Sequence, residues 1–403
     1  MGTQHGGSGR RRTALLLALT LLGPVTACAQ DDGAGAGSTL IVVSAPLSAQ
    51  PWVGRFVQRG AELAAAQLTA AGRTVRVEVR DHGGSPQRAV DNAREAVKDG
   101  ATALITDGVG AVAVADVTDP VALPVFVVFE GGESVIDPDE RPTLFRLAPA
   151  NRPMSRRLAD YLSEQVKKVA LIGDDSSYGR EGLAATTTAL ARNNVAVTSS
   201  ASVATGAPDV APQVLEARRK GAQALVVWAG ASTVAAVVRA ARGAGWPVPI
   251  YSGPTAADPL VRQRIADHPT WLDGLTFVSF RITSEVGPEP FAAYRKAYEE
   301  RFGKEQVGVG DVVAPPDWST YSYDAVRLTD AALKVAGGLG GQPLMDALES
   351  TVITGANGDE RGFGPTDREG VSPDDMYFAR FAALRFAPVR DDVLSTNLPV
   401  VEQ

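Results

Sequence analysis

From Thr39 onward, short apolar runs alternate with segments of helical spacing, and after Arg146–Pro153 the alternation begins again. TLIVVSAPLS is followed by PWVGRFVQRGAELAAAQLTAAG, in which Val53, Phe56, Leu63 and Leu68 recur at helical spacing until Gly72. TVRVEVRDH alternates as a strand with one polar face. Ser85 then reads as a helix cap with Pro86 at the first helical position, Ala89, Val90, Ala93 and Val97 as the buried face, and Gly100 as the stop. TALIT and VFVVFE continue the pattern. Strands interleaved with helices bury their apolar faces as a parallel sheet covered on both sides. In the second round KVALIGDD, ALVVWAG and PIYSG are the strands, with helices between them. Trp52 and Tyr178 each stand beside a glycine at the start of the helix after their round's opening strand. The expectation is an α/β chain of two similar three-layer lobes with mostly parallel sheets, joined by a multi-strand hinge.

LTFVSFRIT (275–283) reads as a return crossing, followed by amphipathic helices over 287–303 and 319–337, with a further crossing near Gly362–Gly370. The boundaries that follow are 39–150 plus 281–355 for the first lobe and 151–280 plus 356–403 for the second. Even without its first 27 residues the 403-residue chain is too long for one ordinary core. The net charge of −7 argues against a nucleic-acid partner, which calls for a basic face.

The N-terminus carries an address. Arg10–Arg12 precede an apolar run, Ala14 to Leu22, and then the small residues Thr26 and Ala27, the order of a secretory signal over residues 1–27. That run is shorter than the roughly 20 residues a bilayer span requires. Cys28 is the sole cysteine, so an internal disulfide is excluded. With Val25-Thr26-Ala27 before it, Cys28 resembles the lipobox cysteine of bacterial lipoproteins, which becomes the first mature residue and carries lipid on its thiol. The alternative is a free cysteine lost with a discarded signal. Residues 28–38, small, polar and glycine-rich, read as a lipidated tether. The expected location is extracytoplasmic, lipid-anchored to the cell membrane.

Enzyme chemistry finds little support. Three histidines and one cysteine do not supply a usual zinc cluster, and no G-x-S-x-G elbow or P-loop occurs. His82, beside Gly83-Gly84, reads as a turn residue. Gly108-Val109-Gly110-Ala111-Val112-Ala113 follows a strand as G-x-G-x-x-A, with Glu130 at the end of the next strand. Three readings are open: a dinucleotide fingerprint, backbone N–H groups that hold a ligand carboxylate at a helix start, or a tight turn. The dinucleotide reading is weakened because the motif falls in the third βα unit of its lobe and an exported protein meets no ready pool of nicotinamide. No cofactor, no metal and no catalytic residue are expected.

The mature chain resembles the type 1 periplasmic binding proteins of the leucine-binding branch, the solute receptors of ABC importers. The resemblance is carried by APLSAQPWVGRFVQRGAELA (45–64), DHGGSPQRAVDNAREAV (81–97), GDDSSYGREGL (173–183), GPTAADP (253–259) and SYDAVRL (322–328). It implies a small-molecule ligand held between the lobes, and a permease and its ATPase as partners. By the same resemblance Trp52 presents a ring from the first lobe. Gly108 and Gly110 with the turn Gly131-Gly132-Glu133 hold the ligand carboxylate and ammonium. Tyr178 closes from the second lobe, and Trp228 to Ala231 form a further wall. Trp52 and Tyr178 could instead be core aromatics, and VVWAG also suits a buried strand end. The amino-acid-binding members commonly place an acid at the position of Thr255, and Glu133 stands where a small hydroxyl residue would be expected. The functional expectation is a non-enzymatic receptor for a small polar ligand, an amino acid or related amine or amide. The alternative is an envelope lipoprotein of the same fold acting as a sensor or protein-docking regulator.

Overall fold

The computed structural model describes residues 38–280, 289–306, 313–314, 316–372, 376–382 and 385–388. Cys28, the signal segment and the tether before Ser38 lie outside them, as do residues 281–283 of the expected return crossing.

The first sheet contains β1 (Thr39–Ala45), β2 (Val75–Asp81), β3 (Ala103–Thr106), β4 (Val125–Val127) and β5 (Leu144–Arg146), connected through α1 (Pro51–Ala70), α2 (Pro86–Lys98) and α3 (Ala111–Thr118). All five strands are parallel, in the order β2-β1-β3-β4-β5. The period of two along β1 sorts its side chains. Ile41 and Val43 share a core with Phe56 and Val57 of α1, whereas Leu40 and Val42 share one with Ala89, Ala93 and Val114 of α2 and α3. A strand buried on both faces has no polar side, which is why TLIVVSA is almost uniformly apolar. The start of α2 is as expected, with Ser85 Oγ accepting the N–H of Arg88.

The second round contains α4 (Asn151–Gln165), β6 (Lys168–Asp174), α5 (Ser177–Arg192), β7 (Ala196–Val203), α6 (Ala211–Arg219), β8 (Ala224–Trp228), α7 (Ala231–Gly243), β9 (Ile250–Ser252), α8 (Pro259–Ile265) and β10 (Leu275–Phe280). Its parallel order, β7-β6-β8-β9-β10, reproduces the first sheet strand for strand. In both sheets the order reverses beside the opening strand, and open α/β sheets form their ligand crevices at the strand C-termini next to such a point.

The last third adds α9 (Glu289–Phe302), a short strand pair β11 (Glu305–Gln306) and β12 (Val313–Ala314), α10 (Ser319–Val335), α11 (Gln342–Leu348), the hairpin β13 (Val352–Thr354) and β14 (Glu360–Gly362), and β15 (Met376–Ala382) with β16 (Arg385–Pro388). Helix α10 lies along α1 so closely that a Cβ on Gly60 would stand 2.0 Å from the carbonyl oxygen of Ser319. β15 joins the second sheet antiparallel to β10, and β16 extends it.

The expected lobe boundary at 355/356 needs correction. It falls inside the β13–β14 hairpin, and the segment after it stays with the first sheet. Phe363 packs on Phe126 and Phe145, and Glu369 bridges to Arg146 of β5. The chain joins the second sheet only at β15. A turn-rich sequence there hid a single buried phenylalanine that holds the segment to the first lobe.

Candidate functional site

The loops after β3, β4 and β5 of the first sheet and after β6, β8 and β9 of the second border one cavity of about 270 Å³. Trp318 and Tyr321, from the start of α10, complete its wall. Phe129 meets Trp318 edge to face at 4.7 Å between ring centroids. On the opposite side stands Tyr178, placed in the first turn of α5 because Ser176 caps that helix by accepting the N–H of Gly179 at 3.0 Å.

Tyr178 is held from behind. Its ring stands edge-on to Trp228, 5.3 Å away, and its hydroxyl lies 3.4 Å from Thr255 Oγ1. Thr255 gives its own proton to the carbonyl of Ala229 at 2.8 Å, so Tyr178 is the donor of the pair. Burial raises the Tyr178 phenol far above its ordinary pKa and keeps it neutral.

The charged lining has one sign. Asp107, Glu130 and Asp174 border the cavity, and among the described residues no Lys, Arg or His does. Asp107 Oδ1 takes His82 Nε2 and the N–H of Val109, each at 3.1 Å, and Oδ2 has no hydrogen-bond partner among the described residues. His82 Nδ1 accepts from the N–H of Gly84, so in the neutral ring Nε2 carries the proton toward Asp107. Asp174 accepts from Ser176 and, at 2.8 Å, from the N–H of Gly230. Glu130 is like Asp107 in this: Oε1 takes the N–H of Gly132 at 2.8 Å, and Oε2 has no hydrogen-bond partner among the described residues. Burial raises the Glu130 pKa, opposed by the Gly132 N–H and by Arg146 and reinforced by Glu181 and Asp107. Arg146 lies fully buried behind the turn, where its Nη1 donates to the carbonyls of Glu130 and Gly132.

Residues 43–383 match the periplasmic binding protein family. The chain belongs to that family. Among curated proteins none matches it in sequence. Solved structures share its fold. A type 1 periplasmic binding protein from Bordetella pertussis Tohama I superposes with a TM-score of 0.79 at 21% identity, over 87% of this chain and 100% of that one. The branched-chain amino acid transporter substrate binding protein LivJ of Streptococcus pneumoniae, in complex with isoleucine, gives 0.74 at 19%, over 87% and 97%. A solute binding protein of an ABC transporter from Rhodopseudomonas palustris BisB5, in complex with 3,4-dihydroxy benzoic acid, gives 0.74 at 17%, over 86% and 95%. Periplasmic binding proteins are extracytoplasmic substrate-binding proteins that work with ABC transporter permeases.

In this periplasmic binding protein, Tyr178 and Thr255 line the cavity, as do Val109, Glu130, Gly131 and Gly230 of the segments singled out in the sequence. Trp52, Gly108, Gly110, Gly132, Glu133 and Trp228 are not in its lining. Trp52 occupies the first turn of α1 as expected, but its ring packs near Phe56 with the Arg55 guanidinium 4.5 Å from its centroid, and Gln50 faces the cavity instead. Trp228 is fully buried and supports Tyr178 from behind, the buried strand end that VVWAG also allowed. Gly182 and Gly253 make room for it, since a Cβ on either would come within 2.7 Å of its ring.

The glycine loops serve turns and close packing. Gly110 caps α3 with φ at +71°, and Gly108, at +120°, lies where a Cβ would stand 2.2 Å from that of Glu130. Their neighbourhood offers little to a ligand carboxylate. The N–H of Gly108 goes to Thr106 Oγ1, that of Val109 to Asp107, that of Gly132 to Glu130 and that of Glu133 to Glu181. Glu133 itself turns to Arg152, 3.4 Å away, outside the cavity lining. The wall residues Phe129, Trp318 and Tyr321 escaped the sequence reading. VFVVFE carried the phenylalanine in plain view, but the α10 aromatics come from a distant segment with no local mark of a site.

Proposed function

We propose that this chain is an extracytoplasmic solute-binding receptor of an ABC importer that encloses a small polar ligand, an amino acid or related amine or amide, between its lobes. The observation that carries the reading is the cavity walled by both lobes, with aromatic faces and a few fixed polar groups, the usual make-up of a small-molecule site. Solved relatives hold isoleucine, leucine and an aromatic acid, so ligand chemistry varies on this fold. Ligand that touches both lobes stabilises the closed form, and a permease reads that population shift. Tyr178 and Thr255 contact the ligand from the second lobe. Lipid on Cys28 tethers the receptor to the membrane surface through residues 28–38.

The test is a thermal-shift screen of the chain from Ala29 onward against amino acids, amines, small amides and sugars. A solute at 100 times its dissociation constant adds about 2.7 kcal/mol of stability, enough to raise the melting temperature. Such a rise for one solute class supports the receptor. No shift from any class contradicts it and favours a protein-docking role.

A further inference from the structure

Resting on the receptor reading, we infer that the cleft selects a small organic amine as a cation and requires no carboxylate on its ligand. The geometry supplies a seat for positive charge. Glu130 and Asp107 both line the cavity and each carries one carboxylate oxygen with no hydrogen-bond partner among the described residues, whereas Asp174 is paired through both of its oxygens. Around the seat stand the rings of Phe129, Trp318 and Tyr178, whose faces attract a cation and whose surfaces bury its alkyl part.

The same geometry withholds a cationic seat for negative charge. A carboxylate is held best by a cation, and no basic side chain among the described residues lines the cavity, whose side-chain donors, Gln50 and Ser177 among them, are neutral. Four backbone N–H groups of the two loops, those of Gly108, Val109, Gly132 and Glu133, are taken up by Thr106, Asp107, Glu130 and Glu181. An amino acid placed here would set its carboxylate among three acids. Thr255, where an acid would hold an α-ammonium, donates to Ala229 and accepts from Tyr178, so the counter-charge comes from the first lobe.

Isothermal titration calorimetry on the chain from Ala29 onward, with putrescine, agmatine, choline and L-leucine, tests this, using wild type and Glu130→Gln. The variant keeps the acceptor for the Gly132 N–H and removes the charge; its melting temperature checks that it folds. The expected result is that at least one amine binds wild type, that L-leucine binds at least tenfold more weakly, and that Glu130→Gln lowers amine affinity by about 10- to 100-fold. Tighter binding by primary amines than by choline assigns the seat to hydrogen bonding at Glu130, and the reverse assigns it to the aromatic faces; both keep the cation. Binding of L-leucine in preference to the amines, or amine affinity unchanged in Glu130→Gln, overturns this inference and leaves the receptor standing. No binding by any of the four, together with a silent screen, removes both.

Discussion

Glu181 of α5 reaches across to the first lobe, where its carboxylate accepts the backbone N–H of Glu133 at 2.5 Å and the hydroxyl of Ser134 at 2.7 Å. These bonds hold the lobes together at the same turn that Arg146 fixes from behind, so closure and the Glu130 seat share one loop. Replacing Glu181 by Ala removes both cross-lobe bonds. The expected result is a larger radius of gyration in solution scattering and an affinity lower by up to about tenfold, since a less populated closed form lowers apparent binding. Unchanged scattering and affinity would show that the contact contributes nothing to closure.

Gly253 gives a steric test of the aromatic wall. Its backbone φ of −73° suits any residue, but a Cβ would lie 2.1 Å from Tyr178 Oη and 2.7 Å from the Trp228 ring. Gly253→Ala therefore pushes Tyr178 toward the cavity at a cost of about 1–3 kcal/mol. Calorimetric unfolding and ligand titration should both move; a normal affinity would mean that Tyr178 does not touch the solute.

A buried charge cluster fastens α10 to the hairpin β13–β14. Arg361 stands 3.6 Å from both Asp324 and Asp359, and Asp324 accepts the N–H of Ala356 at 2.9 Å. Asp324→Ala leaves Arg361 still facing Asp359 but takes the acceptor from the buried Ala356 N–H, which costs about 1–3 kcal/mol. Urea unfolding measures it, and a loss under 1 kcal/mol would contradict the assignment.

Two aspartates beside Arg262 predict a pH dependence. Burial pushes Asp317 up to about 7 and Asp258 up to about 6, with Arg262 opposing both. A carboxyl whose folded pKa exceeds its unfolded value, about 3.9, contributes stability that is full below that value and is lost as pH rises through the folded pKa. The stability difference between wild type and Asp317→Asn should therefore shrink from about pH 4 to pH 7, moving against the wild type. A difference that grows over this range would reverse the sign.

The two lobes were legible because alternation of Val, Ile and Leu runs with capped helices leaves a parallel sheet as the way to bury both faces of each strand. Ser85-Pro86 marked a helix start that the structure keeps, whereas the Ser176 cap that places Tyr178 at the cavity went unread in the sequence. What sequence could not show is where a ring points once other elements arrive. Trp52 and Trp228 occupy the expected positions in their elements, yet one packs under Arg55 and the other lies buried behind Tyr178. Nor could it show that Thr106, Asp107, Glu130 and, from the other lobe, Glu181 would take the backbone donors of Gly108, Val109, Gly132 and Glu133, because those bonds depend on loop geometry and on how the lobes meet.

The most direct measurement is a crystal structure of the chain from Ala29 onward, saturated with the solute that raises its melting temperature most. The account predicts density between Tyr178 and Thr255 on one side and Phe129 and Trp318 on the other, with a positively charged nitrogen beside Glu130. An empty cavity at saturating solute, or a solute bound on another surface, would contradict it.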